Sequence, residues 1–171
     1  GVQVVRTSFT GFLEADPANW FDPILFTAKG EELRALTFTW PAGARTFARA
    51  EKGKPFAGQE GPVLEEMGNV LMTLRANDAV AKGDQDAAAA FAKPWSIQLE
   101  LFDGAKVTLT LAKTAATGPN ESPRLWMRVA HSDPKHKANG MSAKAEFIAP
   151  PWLAEQLPAT LADFRKAVEP P

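Results

Sequence analysis

The sharpest alternation of apolar and polar positions lies between Ser96 and Lys113. Ile97, Leu99 and Leu101 alternate with Gln98 and Glu100; beyond Asp103-Gly104, Val107, Leu109 and Leu111 alternate with Thr108 and Thr110. Period-two alternation on both sides of a D-G pair predicts a β-hairpin with one buried and one wet face. A two-residue turn at Asp103-Gly104 would set Leu99 against Thr108. A three-residue loop, Phe102-Asp103-Gly104, instead sets Leu101 against Ala105, Leu99 against Val107 and Ile97 against Leu109. Only the second register keeps every apolar residue on one face, and a slip by one residue reverses that. Burying each large aliphatic is worth roughly 1.5–3 kcal/mol, which outweighs local turn preference. The expectation is a type I turn with Gly104 left-handed in a bulge.

Weaker patterns place the other elements. Residues 2–13 read as a strand broken near Gly11, residues 14–20 as a turn-rich link, and Phe21 to Phe26 as an extended segment clamped onto the core. Residues 33–50 form a second hairpin, Leu36, Phe38 and Trp40 alternating with Thr37 and Thr39, with a four-residue loop at Pro41-Ala42-Gly43-Ala44 that sets Phe38 against Phe47. Residues 51–61 form an exposed connection. A helix is predicted over residues 62–76, with Val63, Leu64, Met67, Val70, Leu71 and Leu74 in one stripe. Pro62 suits its first turn, Glu65, Glu66 and Arg75 complement its dipole, and Gly68 allows close packing. Asp84 caps a short alanine-rich helix ending at Ala92, which Pro94 stops. Residues 114–123 are a loop, 124–130 a strand, 131–140 a polar loop and 142–149 a further strand. From Pro151 a helical pattern turns Trp152, Leu153, Leu157, Leu161, Phe164 and Val168 inward, and Pro158 divides it into two short helices or kinks it.

These elements predict an α+β fold, an antiparallel-rich sheet of hairpins with helices packed mainly on one face. Residues 1–171 are read as one domain, in which residues 18–92 and 93–168 share a hairpin-then-helix order. That order is either a weak internal repeat or a coincidence of common elements.

Composition narrows the function. The chain has 171 residues, 45% hydrophobic, enough for a real core. Its 19 basic and 20 acidic residues leave a net charge of −1, which argues against nucleic acid as a partner. The absence of cysteine excludes disulfides, thiolate catalysis and thiolate metal sites. No apolar run approaches the roughly 20 residues of a membrane-spanning helix. No signal peptide is visible at Gly1, and the start there reads as a cut, so a leader or anchor would lie upstream.

With the elements placed, the chain resembles a bacterial family named domain of unknown function 4340. The resemblance rests on Asp16-Pro17-Ala18-Asn19-Trp20-Phe21-Asp22 as an opening clamp and on a hairpin ending at Trp40. It continues with an L-x-x-L-x-A run from Leu71 to Ala76, L-x-x-x-D-G from Leu99 to Gly104, and L-x-x-F-R from Leu161 to Arg165. Where the family often has Y-G-L-x-x-P, this chain has Phe91-Ala92-Lys93-Pro94-Trp95. The resemblance implies an extracytoplasmic, often membrane-anchored protein of the cell envelope. It carries no catalytic residues over.

Two constellations are candidate sites. Arg124, Trp126 and Arg128 share one face of a predicted strand, and a tryptophan between arginines suits a protein-binding hot spot unless a second layer, such as the terminal helix, covers it. His131 and His136, with Asp133 between them, could form a metal or acid/base site, but Pro134 and Gly140 favour a solvated loop. Glu65-Glu66 face different directions on a helix, Gly53-Lys54 lacks phosphate-loop spacing, and no nucleophile elbow or zinc spacing is present. The resemblance and the absence of catalytic motifs together imply a non-enzymatic envelope domain, structural or binding a protein partner, with no cofactor and no metal. Two alternatives stand beside it: a small-molecule-binding or hydrolytic domain with a cleft near residues 131–140, and a subunit of a larger membrane-associated assembly joined through its edge strands.

Overall fold

The computed structural model describes residues 23–114 and 123–168. The predicted strand at 2–13, the link after it and the opening clamp before Pro23 lie outside the described residues, as does most of the loop at 114–123. Nine strands and five helices follow one another: β1 (Ile24–Thr27), β2 (Leu33–Trp40), β3 (Gly43–Ala48), α1 (Gly61–Leu71), β4 (Thr73–Arg75), β5 (Asp78–Ala81), α2 (Gln85–Ala90), β6 (Trp95–Leu101), β7 (Lys106–Lys113), β8 (Leu125–His131), α3 (Lys137–Ser142), β9 (Ala145–Ile148), α4 (Pro151–Gln156) and α5 (Leu161–Val168). Seven strands form one antiparallel sheet in the order β3-β2-β6-β7-β8-β9-β5, and β1 pairs with β4 in a small second sheet. The fold is α+β, as expected.

The central hairpin has the predicted register. Leu99 faces Val107 and Ile97 faces Leu109. Leu101 N–H donates to Ala105 C=O (2.8 Å), Gly104 N–H to Leu101 C=O (3.0 Å), and Gly104 has φ +88°. Ile97, Leu99, Leu101, Val107, Leu109 and Leu111 are all buried. They join Leu36, Phe38 and Trp40 of β2 and Leu125, Met127 and Val129 of β8 in one core cluster. α1, α4 and α5 send Leu64, Met67, Leu71, Leu153 and Phe164 into that cluster. Phe164 docks α5 with its ring centroid 5.3 Å from both Phe38 and Phe47, and Trp40 Nε1–H donates to Pro158 C=O (3.1 Å). The opposite face of β2, β6 and β7 carries Thr37, Thr39, Ser96, Gln98, Thr108 and Thr110; over the β7–β8 end it is covered by α2, whose Ala87 packs with Trp126 and Ala112.

Several expectations need correction. The second hairpin turns through two residues, Pro41-Ala42, so Phe38 faces Arg45 and Leu36 faces Phe47. An even slip leaves every side chain on its face, so the hydrophobic pattern is blind to it. Gly43, at φ +142°, lets the chain re-enter the ladder at once. Phe38 and Phe47 still touch diagonally, edge to face at 6.3 Å.

The helix predicted to reach Ala76 stops at Leu71, and Thr73–Arg75 become β4. Leu74 is buried either way, and backbone pairing with β1 decides: Ala28 N–H donates to Met72 C=O and Ala76 N–H to Pro23 C=O, each 2.8 Å. Within 51–61, Phe56 is buried, and the 131–140 loop contains the start of α3. The terminal helical stretch divides at Pro158 as expected, but Trp152 is 47% exposed rather than inward.

Candidate functional site

β8 positions the arginine–tryptophan row, and the structure separates its three members. Trp126 lies on the face away from the main core yet is only 1% exposed, buried under α2 with Ala87 and Ala112. A second layer does cover it, and that layer is α2 rather than the terminal helix. Asp84 starts α2 by accepting Ala87 N–H through Oδ1 (3.0 Å), which places Ala87 on the indole. Trp126 is thus a packing residue and not an exposed contact.

Arg128 lies two positions on, across from Glu146 of β9. Its Nε–H and Nη2–H donate to the two carboxylate oxygens at 2.7 Å each, Lys82 Nζ stands 3.1 Å from Oε1, and the guanidinium lies 3.8 Å from the Phe91 ring centroid. Glu146 is 1% exposed. Burial opposes its charge, but hydrogen bonds from Arg128 and Lys82 more than offset this and hold its pKa below the usual 4.5. The Arg128 guanidinium is pushed further above its ordinary pKa by its hydrogen bond to Glu146, against a smaller desolvation cost. Of the row, only Arg124 is exposed, lining a surface cavity of about 290 Å³ with Asn77, Asp78 and Pro151.

The histidines do come together. The rings of His131 and His136 stack with centroids 4.1 Å apart and planes 14° from parallel, and the Phe26 ring lies 6.2 and 6.3 Å from them. His131 Nδ1 accepts Asp133 N–H (3.0 Å), and His136 Nδ1 accepts Ala138 N–H (3.2 Å) as the cap of α3. Each neutral ring therefore carries its proton on Nε2. Asn139 pins the loop: its Oδ1 accepts His131 N–H (2.8 Å) and its Nδ2 donates to the carbonyls of His131 (3.0 Å) and Asp133 (2.8 Å).

The stack bears on the metal reading. Near-parallel rings set 4.1 Å apart have planes that do not meet within a Zn–N distance of about 2 Å, so the two imidazoles cannot share one ion in this arrangement. Among the described residues no group of three or more His, Cys, Asp or Glu is arranged to hold a metal. Asp133 meets His131 through its backbone N–H, while its Oδ1 accepts Lys135 N–H (2.9 Å).

A third polar cluster escaped the sequence reading. Arg49, just after β3, is 6% exposed; its Nη1–H donates to Gly30 C=O (2.6 Å) and Leu33 C=O (3.2 Å), its Nη2–H to Glu65 Oε2, and its guanidinium lies 4.7 Å from the Phe56 ring centroid. Glu65 Oε1 accepts Phe56 N–H (2.7 Å). Glu65 thus fastens the 51–60 connection to α1, a role beyond the helix dipole. Nothing local in the sequence pairs Arg49 with Glu65.

Among the described residues the sheet leaves one long edge open: β3 pairs only with β2, and all of Gly43–Ala48 except the half-buried Phe47 is exposed. Arg49 N–H donates to Arg34 C=O (2.8 Å), which sets the phase of the ladder. Arg45 and Phe47 bond to β2, so Ala44, Thr46 and Ala48 turn their N–H and C=O groups outward. The other edge, β5, is four residues long. No helix among the described residues is long and apolar enough to cross a membrane. No family model, curated protein or solved structure matches the chain.

Proposed function

We propose that this chain is a non-enzymatic module that binds a protein partner by strand addition along β3, within the extracytoplasmic, envelope-associated setting that the family resemblance implies. The observation that carries this reading is the six-residue edge of Gly43–Ala48, exposed and offering backbone donors and acceptors at Ala44, Thr46 and Ala48. Arg45, beside this edge on the Phe38 side, favours an acidic residue in the incoming strand. The polar clusters support the same reading: Arg128 and Lys82 are both engaged by Glu146, Arg49 is engaged by Glu65, and both histidine Nδ1 atoms are taken by backbone N–H groups.

Thr46→Pro tests it. The substitution removes an N–H that faces solvent and leaves the β2 ladder intact, a position where an edge strand tolerates proline. A photo-crosslinking residue at Ala44 or Ala48, in cells expressing the full gene product, should capture a discrete partner that is lost with Thr46→Pro. Capture unaffected by the proline defeats the strand-addition reading. Light scattering of the purified chain separates this from an assembly subunit, for which Thr46→Pro would convert an oligomer to a monomer.

A further inference from the structure

The stacked histidines have a feature that strand addition does not use. Both rings accept backbone N–H groups through Nδ1, and one of those bonds caps α3. A protonated imidazole carries N–H on both nitrogens and can accept nothing. A proton arriving on His136 therefore turns the acceptor of Ala138 N–H into a donor facing a donor. It also places a cation in a ring stack 4.1 Å deep.

We propose that the His131–His136 stack is an acid-released latch: proton uptake by His136 uncaps α3, separates the rings and loosens residues 131–142 from the sheet. The latch holds a defined surface. Ala138 is 1% exposed and Phe26, beneath the rings, 3%; Ser142 Oγ accepts Val129 N–H (3.1 Å). Release uncovers all three.

The surroundings favour the neutral, closed state at neutral pH. Burial lowers the pKa of His136 below 6.5, His131 and Lys137 act in the same direction, and Asp133 opposes them. β1 presents the uncharged Phe26 ring. Lys106 of β7, Arg128 of β8 and Glu146 of β9 alternate with core-facing neighbours and lie on the opposite face of the sheet, the last two paired with each other. For a base whose folded pKa is depressed, the unfolded chain binds the proton more readily. The stabilisation is therefore complete above about pH 6.5 and is lost as pH falls through the lower folded value.

Amide hydrogen exchange at about pH 7.5 and about pH 5, corrected for intrinsic rates, tests the latch. Protection of the Ala138 and Ala143 amides should fall about fivefold or more at the lower pH, the equivalent of one lost helix cap, while Leu101 in the central hairpin keeps its protection. His136→Asn supplies a capping oxygen that does not titrate, and should hold α3 protection constant across the range. Wild-type protection that ignores pH, or a His136→Asn variant with the same fall, overturns the proposal. If the variant does not fold, ¹⁵N NMR of the wild-type imidazoles decides. Nε2–H tautomers at neutral pH and protonation of His136 below 6.5 support the latch; an Nδ1–H tautomer or protonation at or above 6.5 rejects it.

Discussion

Arg128 grips Glu146 through two parallel hydrogen bonds of 2.7 Å, from Nε and Nη2 to the two carboxylate oxygens. The pair joins β8 to β9, and Lys82, just past β5, adds a third donor from the next strand. Glu146→Gln keeps the shape but leaves two cations facing a neutral amide, and should cost about 2 kcal/mol of stability at neutral pH. The carboxylate's folded pKa lies below 4.5, so its contribution is present above that value and lost as pH falls through the lower one. Urea midpoints of wild type and variant should therefore differ at neutral pH and converge in acid. A constant difference down to about pH 2 would show that the carboxylate's charge is not what stabilises the joint.

Phe164 anchors α5. It is fully buried and its ring lies within 6 Å of Phe38, Trp40 and Phe47, so it closes the core over the β2–β3 hairpin. Phe164→Ala should cost about 3–5 kcal/mol and detach α5. The expected signs are a lower unfolding midpoint and loss of near-ultraviolet circular dichroism from Trp40. An unchanged aromatic spectrum would place α5 elsewhere.

What the sequence made legible follows from periodicity. The central hairpin could be read to the residue, because an odd slip would turn Leu99 and Ile97 into solvent. The Phe38–Arg45 pairing could not, because an even slip costs no burial and only the turn chooses. β4 was hidden for a related reason: Leu74 fits both a helical stripe and the middle of a three-residue strand, and no Gly or Pro marks the change after Leu71. α3 was hidden by its cap, since His136 does a task usually assigned to Ser, Thr, Asp or Asn. The candidate site was partly visible. Trp126 and the histidines stood out by residue type, but the stack of His131 on His136 and the cover of α2 over Trp126 are tertiary facts. That β3 lies at an edge among the described residues depends on strand order, which no local pattern encodes.

Two glycines separate backbone freedom from space. Gly104 has φ +88° and a Cβ there would meet nothing within 4 Å, so Gly104→Ala should cost about 1 kcal/mol through conformation alone. Gly68 lies in α1, where a Cβ would come within 2.8 Å of Leu33 Cδ2. Alanine there gains about 1 kcal/mol of helix propensity but must displace a fully buried leucine, an overpacking cost of about 1–3 kcal/mol. Both variants should be less stable than wild type in urea. Only Gly68→Ala should be rescued by Leu33→Val, because only there is the defect a contact.

Glu65 and Glu66 stand side by side near the start of α1, and the helix dipole alone would treat them alike. The structure does not: Glu65 takes Arg49 on one oxygen and Phe56 N–H on the other, while Glu66 is exposed. Removing Glu65 strands a guanidinium that is 6% exposed as a residue and leaves the backbone of Phe56 without that acceptor. Glu65→Ala should therefore destabilise by about 2–4 kcal/mol, the cost of leaving a buried charge unpaired, and Glu66→Ala by no more than about 0.5 kcal/mol. The Glu65 variant should also speed proteolysis within residues 51–60, since Phe56 and Glu65 are what tie that exposed stretch to the core. Equal unfolding midpoints for the two alanine variants would mean that the dipole, and not the Arg49 clamp, accounts for both carboxylates.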